Sequence, residues 1–414
     1  MWRFPYRTAE NGGAAFVLLY IGMTFLIGVP MMMAEFGAGR HSRLSSVGAL
    51  RMIGGRRWIP LGYLFVITSM LILSYLSVIT GWTLRYAVDG LLAGFPAEPG
   101  LRYNEVSTGF GAISFHVITM AITTGIVIMG VKRGIERASL ILMPVLFATL
   151  IALAVWASTL EGNGPGYAFY LRPSMEALGD LSTLQAAASQ AFFSLSVGMG
   201  IMITYGSYLS GGENLSRESV IVSMSDFFVA LVAGLVVFPV IFSLGLSDQV
   251  GESTMGALFI SLPGGFVQMG SMGRVVGVAF FMMLAVASIT STVSLLEVVA
   301  STLMDEFGLQ RRPATLIAGL AATLFGITAA ISSGTLGVLD RIAGELFVVI
   351  GVLGMAVLVG WWMKNPADEI AAGAPPSVAR LVPGAVVVIR YVIPPLLAVL
   401  AVVGVVDTIR NWPP

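Results

Sequence analysis

Ten apolar windows dominate this chain, and one of them is interrupted at the depth where a bilayer has its middle. They fall near residues 14–35, 59–84, 109–130, 138–158, 184–208, 220–245, 275–303, 314–332, 343–363 and 385–407. Each is long enough, at about 20 residues, to cross roughly 30 Å of hydrocarbon as a helix. Within 184–208 the run QAFFSLSVGMG at 190–200 places Ser194, Ser196, Gly198 and Gly200 where bulky apolar residues would otherwise stand. A helix broken there frees amides and carbonyls that hydrocarbon cannot satisfy, so the break must line a protected cavity or hold a solute. The expectation is an all-α polytopic membrane protein with a transporter-like site at a broken helix.

Composition supports that setting, with 57% hydrophobic and 11% charged residues and a mean hydropathy of +0.90, far from a soluble domain. A formal net charge of +0 gives no footprint for nucleic acid, and the absence of cysteine excludes disulfides and thiolate metal sites. The two histidines form no metal cluster. His41 sits in an arginine-rich loop, and His116 is alone in an apolar segment, where helix packing is the favoured reading. The beginning, MWRFPYRTAENGG, lacks the apolar core of a secretory signal. Residues 251–270 are apolar but broken by Pro263, Gly264 and Gly265, which suits a re-entrant or extracellular helical hairpin better than a span. Arg40, Arg43, Arg51, Arg56 and Arg57, then Lys132, Arg133 and Arg137, then Arg311 and Arg312 mark alternate loops as cytoplasmic.

Ionisable residues inside spans are costly and therefore informative. Asp226 lies about two turns into the window beginning near 220, beside Phe227, Phe228 and Val229, and its carboxylate needs a cation, a proton or a strong donor. A bound cation is the favoured reading over a purely structural hydrogen bond. Ala287, Thr290 and Ser291 are spaced to approach one helix face, giving hard oxygen ligands of the kind a small alkali cation accepts. Taken alone that pattern is weak, because Ser and Thr often bond back to the preceding turn. Glu35 and Glu297 are expected to bond to broken backbone. Arg3 and Asp340, the latter at the outer end of a span, could pair across an external vestibule or be unrelated interfacial charges.

WRFP at 2–5, ENGG at 10–13, SYLSVITGWTL at 74–84, KRGIER at 132–137, QAFFSLSVGMG, SMSD at 223–226 and TSTVSLLE at 290–297 together resemble the bacterial neurotransmitter:sodium symporter family, in the family's order and over nearly the whole chain. The resemblance implies the leucine-transporter fold: two five-helix repeats of opposite topology, with discontinuous helices one and six. The first repeat would occupy 1–158 with helix one incomplete. The second would occupy 184–363 with the hairpin at 251–270, and helix eleven would follow at 385–407. Carried over by position, Ala287, Thr290 and Ser291 match one sodium site, and Ser194 and Asp226 match the other. Phe193 matches the aromatic lid, Arg3 and Asp340 the outer gate, and Asp305 the inner gate. Ser196, Met199, Ile72 and Leu295 match pocket-lining positions, which suggests an aliphatic or aromatic amino acid. Chloride supplies the charge in relatives that lack a carboxylate near Asp226, so the resemblance implies that chloride is not required.

Two departures stand out. The family carries a tyrosine after the Tyr75 position, and this chain has Leu76, which removes a donor to a substrate carboxylate. Just before WRFP the family carries a half-helix and an unwound segment. Here Met1 stands directly before Trp2, so a start upstream of Met1 is expected, where the basic partner of Asp305 would also lie. The expectation is sodium-coupled uptake of a small apolar amino acid across the bacterial inner membrane, without enzymatic chemistry or a cofactor beyond sodium. The competing readings are a non-transporting receptor or degenerate transporter, and a sodium-coupled carrier of an amine. Nothing in the sequence points to an oligomeric state.

Overall fold

A computed structural model of the protein describes residues 3–245 and 257–410. Every regular element among them is helical. The elements that build the site are α1 (Arg3–Glu10), α2 (Ala14–Ser42), α3 (Ile59–Leu92), α4 (Gly109–Ile128), α5 (Val131–Ser158), α6 (Leu181–Ser194) and α7 (Ile201–Tyr208). They continue as α8 (Leu215–Ser243), α9 (Leu262–Gln268), α10 (Gly270–Phe307), α11 (Arg311–Ile331), α12 (Gly334–Trp362) and α13 (Pro376–Val406). Nine helices among the described residues are long and apolar enough to cross a membrane. The tenth window, 184–208, is divided between α6 and α7. The protein is therefore a multi-pass membrane protein.

Local chemistry sets the ends of these helices. Asp180 caps α6 by accepting the Ser182 amide at 3.0 Å, and the Ser182 and Thr183 donors hold its carboxyl below the usual carboxylate range. Asn214 caps α8 by accepting the Arg217 amide at 3.1 Å, and Pro60 opens α3 at a position where its missing N–H costs nothing. Faces with exposed apolar side chains, such as Leu140, Ile141 and Val145 on α5 and Leu316, Leu320 and Leu324 on α11, meet lipid. The inner faces converge on α3 and α10, which pack along one another, while α2 packs on α6 and α7.

Several boundaries differ from the hydropathy reading. The last full repeat helix begins at Gly334 rather than 343, so Asp340 lies inside α12 and not at the end of a span. Asp340, Arg341 and Glu345 depress the local hydropathy, yet a π-helical stretch over Asp340–Phe347 carries the helix through them. Likewise α8 starts at Leu215, which puts Asp226 about three turns in, at 3.6 residues per turn. Of the expected hairpin, Ala257–Ser261 and α9 are helical, and residues 251–256 lie outside the described residues, as do Met1 and Trp2.

Glu297 also departs from expectation. It does not bond to broken backbone. It is fully buried, accepts from Arg311 through both oxygens at 2.8 Å, and accepts the Tyr208 hydroxyl at 2.5 Å. This ties together α7, α10 and the start of α11.

Candidate functional site

The broken helix is built from residues that tolerate left-handed backbone and from neighbours that take up its loose polar groups. After Ser194, residues 195–200 form turns in which Ser196, Gly198 and Gly200 have φ of 57°, 81° and 80°. The Gly198 amide donates to Glu35 Oε1 at 2.7 Å, so Glu35 does bond to broken backbone. The Met199 carbonyl accepts from Ser69 Oγ at 2.7 Å, and the Gly200 carbonyl accepts from Thr204 Oγ1 at 2.9 Å. The Gly200 carbonyl also accepts the Thr204 amide at 3.0 Å, and in a medium without water the Glu35 and Ser69 partners each replace a cost of several kcal/mol per unsatisfied group.

Beside this break lies a cavity of about 460 Å³. Its wall gathers residues from elements far apart in sequence: Ile72 and Leu76 from α3, Phe193 and Ser194 from α6, Ser196 and Met199 from the break, Asp226 from α8, and Ala287, Thr290, Ser291 and Leu295 from α10. Arg3 reaches its outer margin. Met143, Leu146 and Phe147 of α5, Ile221, Val222 and Ser225 of α8, and Gln190 also line it. Gln190 and Ser225 lie within the runs 190–200 and 223–226, whereas the α5 residues, Ile221 and Val222 carry no motif and only the apolar face of each helix hints at them.

Two sets of polar groups in the cavity gather oxygens. Asp226 accepts from Ser194 Oγ, which is 2.7 Å from both carboxylate oxygens, and from the Tyr20 hydroxyl at 2.9 Å. Tyr20 belongs to no motif; it is one of two hydroxyls, with Thr24, in the mostly apolar window 14–35. On α10, the Ala287 carbonyl accepts from Thr290 Oγ1 at 2.8 Å and from Ser291 Oγ at 3.4 Å. Three oxygens thus cluster on one face, bonded back along their own helix. Ile72, Leu76, Met199 and Leu295 give the wall an apolar stretch that suits an uncharged side chain, beside the polar Gln190, Ser196 and Ser225.

Phe193 closes the outer side. The Arg3 guanidinium lies 4.6 Å from the centre of its ring, an arrangement favoured by the ring's negative face. Arg3 Nε is 3.5 Å from Asp340 Oδ2, and Arg3 Nη2 is 3.1 Å from Glu345 Oε1. Glu345 had no sequence signal. Tyr75 does not face the cavity with its hydroxyl, which donates to Asp340 Oδ1 at 2.8 Å. On the opposite side of the bundle, Asp305 accepts the Ser45 amide at 2.5 Å and is not part of the cavity wall. His116, buried between α4 and α11, lies 3.0 Å from the Thr323 carbonyl, a packing role.

The profile of the Sodium:neurotransmitter symporter family matches residues 1–108 and 101–406. The chain is 33% identical over 344 residues to the Bacillus subtilis (strain 168) protein named uncharacterized sodium-dependent transporter YhdH, covering 81% of this chain and 75% of the relative. It is 31% identical over 385 residues to an uncharacterized sodium-dependent transporter of Methanocaldococcus jannaschii, with 88% and 77% covered. Among solved structures, that of MhsT in complex with L-phenylalanine superposes with a TM-score of 0.89 at 36% identity, covering 97% of this chain and 94% of that one.

Proposed function

The chain belongs to the Sodium:neurotransmitter symporter family and has the leucine-transporter fold, and on that premise we propose that it is a sodium-coupled carrier of a small apolar amino acid, working by alternating access in the bacterial inner membrane. The observation that carries the proposal is the 460 Å³ cavity at the helix break, where Asp226 and the α10 oxygens meet a mostly apolar wall. Both polar sets suit sodium. Asp226 with Ser194 supplies negative charge and a hydroxyl, while Ala287 supplies a carbonyl oxygen and Thr290 and Ser291 supply hydroxyl oxygens that need only turn from their own helix. Cations of this hardness take oxygen ligands. With a fixed carboxylate at 226, chloride is not required to balance the ion. The bound L-phenylalanine of MhsT supports an amino-acid substrate here, as does the apolar wall.

In the cycle we propose, sodium at the two sets favours the outward-facing state, substrate draws Phe193 and Arg3 closed against α12, and opening near Asp305 releases both. Coupling requires only that ions and substrate prefer one state over the other. The arrangement would be two five-helix repeats, 1–158 and 184–363, followed by 385–407. Sodium-dependent binding of radiolabelled apolar amino acids to the purified protein tests the reading: saturable binding in sodium that vanishes in potassium supports it, and binding indifferent to the cation contradicts it.

Two smaller effects follow from the same geometry. Removing one sodium ligand with Ser291→Ala is expected to raise the half-saturating sodium concentration about tenfold, corresponding to roughly 1.4 kcal/mol. A sodium titration of substrate binding measures this, and an unchanged midpoint would remove Ser291 from the site. Leu76 favours a second reading, because it leaves the pocket without a hydroxyl at a position where Tyr75 cannot help, its own hydroxyl being held by Asp340. That reading is transport of an amine that lacks a carboxylate. A hydrogen bond to a charged group contributes roughly 1.5–3 kcal/mol, so Leu76→Tyr should tighten binding of the amino acid by about tenfold or more. Competition by decarboxylated amines that exceeds competition by the parent amino acids in the unaltered protein would favour the amine reading instead.

A further inference from the structure

The outer side of the cavity holds two carboxylates and two arginines, and their bonds are unequally shared. Every hydrogen bond that the Arg3 side chain makes among the described residues ends on the segment 344–345: Nη1 donates to the Gly344 carbonyl at 3.4 Å and Nη2 to Glu345 Oε1 at 3.1 Å. Its approach to Asp340 is only 3.5 Å, from an Nε that has no hydrogen-bond partner among the described residues. Arg7, one helical turn further along α1, is also paired with Glu345. Asp340, in contrast, is held by Tyr75 of α3 at 2.8 Å.

The backbone explains how both acids reach the same place. In an α-helix, residues five apart point about 140° apart, so Asp340 and Glu345 could not both face α1. The π-helical stretch Asp340–Phe347 closes i→i+5 hydrogen bonds, which stacks residues five apart more nearly over one another. The wide turn therefore turns a second carboxylate toward Arg3 and Arg7.

We propose that Glu345, rather than Asp340, is the acceptor that latches the outer side shut. It fastens α1 to α12 across the mouth of the cavity, while Asp340 belongs to a fixed α3–α12 contact through Tyr75. The latch is a further gating residue for the transport reading above and rests on it. Opening to the outside must break the Arg3 and Arg7 bonds to Glu345 but can leave the Tyr75–Asp340 bond intact. Charge-assisted bonds of this kind are the strong ones, and Arg3 is only 2% exposed, so a lost partner is costly to replace.

The protein contains no cysteine, so Ile72→Cys, below Phe193, creates a single reporter thiol in the full chain. Its rate of labelling by a membrane-impermeant thiol reagent added from outside, without substrate, reads the latch. Glu345→Gln is expected to raise that rate at least about fivefold, Glu345→Asp to restore most of the closure, and Asp340→Asn to raise it less than Glu345→Gln. A Glu345→Gln rate within about twofold of the reporter alone, or a larger rise with Asp340→Asn, would overturn the proposal. If Glu345→Gln fails to accumulate in the membrane, Arg7→Gln takes its place, since it strips one donor from Glu345 and spares Asp340. A rise of about threefold is then expected, and no rise overturns the latch. Sodium-driven uptake is measured separately on the parent chain; its absence would remove the transport reading, whereas the labelling order of the variants alone decides between Glu345 and Asp340.

Discussion

Asp226→Ala is expected to abolish sodium-driven accumulation while leaving the protein in the membrane. The substitution takes away the carboxylate on which the Ser194 and Tyr20 hydroxyls converge, the one carboxylate on the cavity wall among the described residues. Removing one member of a buried charge pair costs roughly 3–5 kcal/mol. At about 1.4 kcal/mol per tenfold, the half-saturating sodium concentration should rise by about two to four orders of magnitude, beyond any practical gradient. The two hydroxyls can turn to one another or to water in the cavity, so the effect on folding is smaller than the effect on sodium. Asp226→Asn separates charge from shape. It keeps an acceptor for Ser194 and Tyr20, and it is expected to bind sodium weakly unless chloride is present, because a small anion can then supply the missing charge. Sodium titrations in chloride and in gluconate measure both variants. A parent that itself needs chloride, or an alanine variant with an unshifted sodium midpoint, would show that Asp226 is not the counter-charge.

Gly198→Val should prevent the protein from accumulating in folded form. Gly198 combines a φ of 81° with an ideal Cβ position 2.4 Å from the Val348 carbonyl oxygen and 2.7 Å from Val352 Cγ2. The break is pressed against α12, and neither backbone can yield without moving a span. A left-handed conformation alone costs a side chain roughly 1–2 kcal/mol, and backbone overlap should carry the total past about 4 kcal/mol, the range reached only by a few mechanisms. The Gly198 amide bond to Glu35 would be lost in the same movement. Gly55 provides the control. It has nearly the same φ, 82°, but nothing within 4 Å of its Cβ position, so Gly55→Ala should cost only about 1 kcal/mol. Membrane yield and the thermal midpoint in detergent distinguish the two. Equal loss at both positions would mean that φ rather than the α12 contact governs the break.

The features that were legible in the sequence are those written in consecutive residues. Long apolar windows report spans because hydrocarbon admits little else, and the break at 194–200 was visible because serine and glycine stand where leucine or phenylalanine would continue a helix. Asp226 was conspicuous as a lone carboxylate among phenylalanines. Partners distant in the chain were hidden: Tyr20 meets Asp226 across 206 positions, and no spacing rule spans that distance. Glu297 was assigned to broken backbone because its partner Arg311 sits beyond a helix end, where it looked like an ordinary loop charge. Glu345 was invisible for a different reason. At α-helical spacing it points away from Asp340, and only the π-helical turn of α12 brings the two acids to one mouth. That same stretch of charge caused the hydropathy window to begin at 343, after Asp340, although the helix runs on through it.

The most direct test is uptake into proteoliposomes made with the full chain, preloaded with potassium and diluted into sodium, using a mixture of radiolabelled apolar amino acids. The account predicts transient accumulation above equilibrium that collapses when an ionophore dissipates the sodium gradient and persists when chloride is replaced by gluconate. Uptake that only equilibrates, at the same rate with or without the sodium gradient, would contradict it.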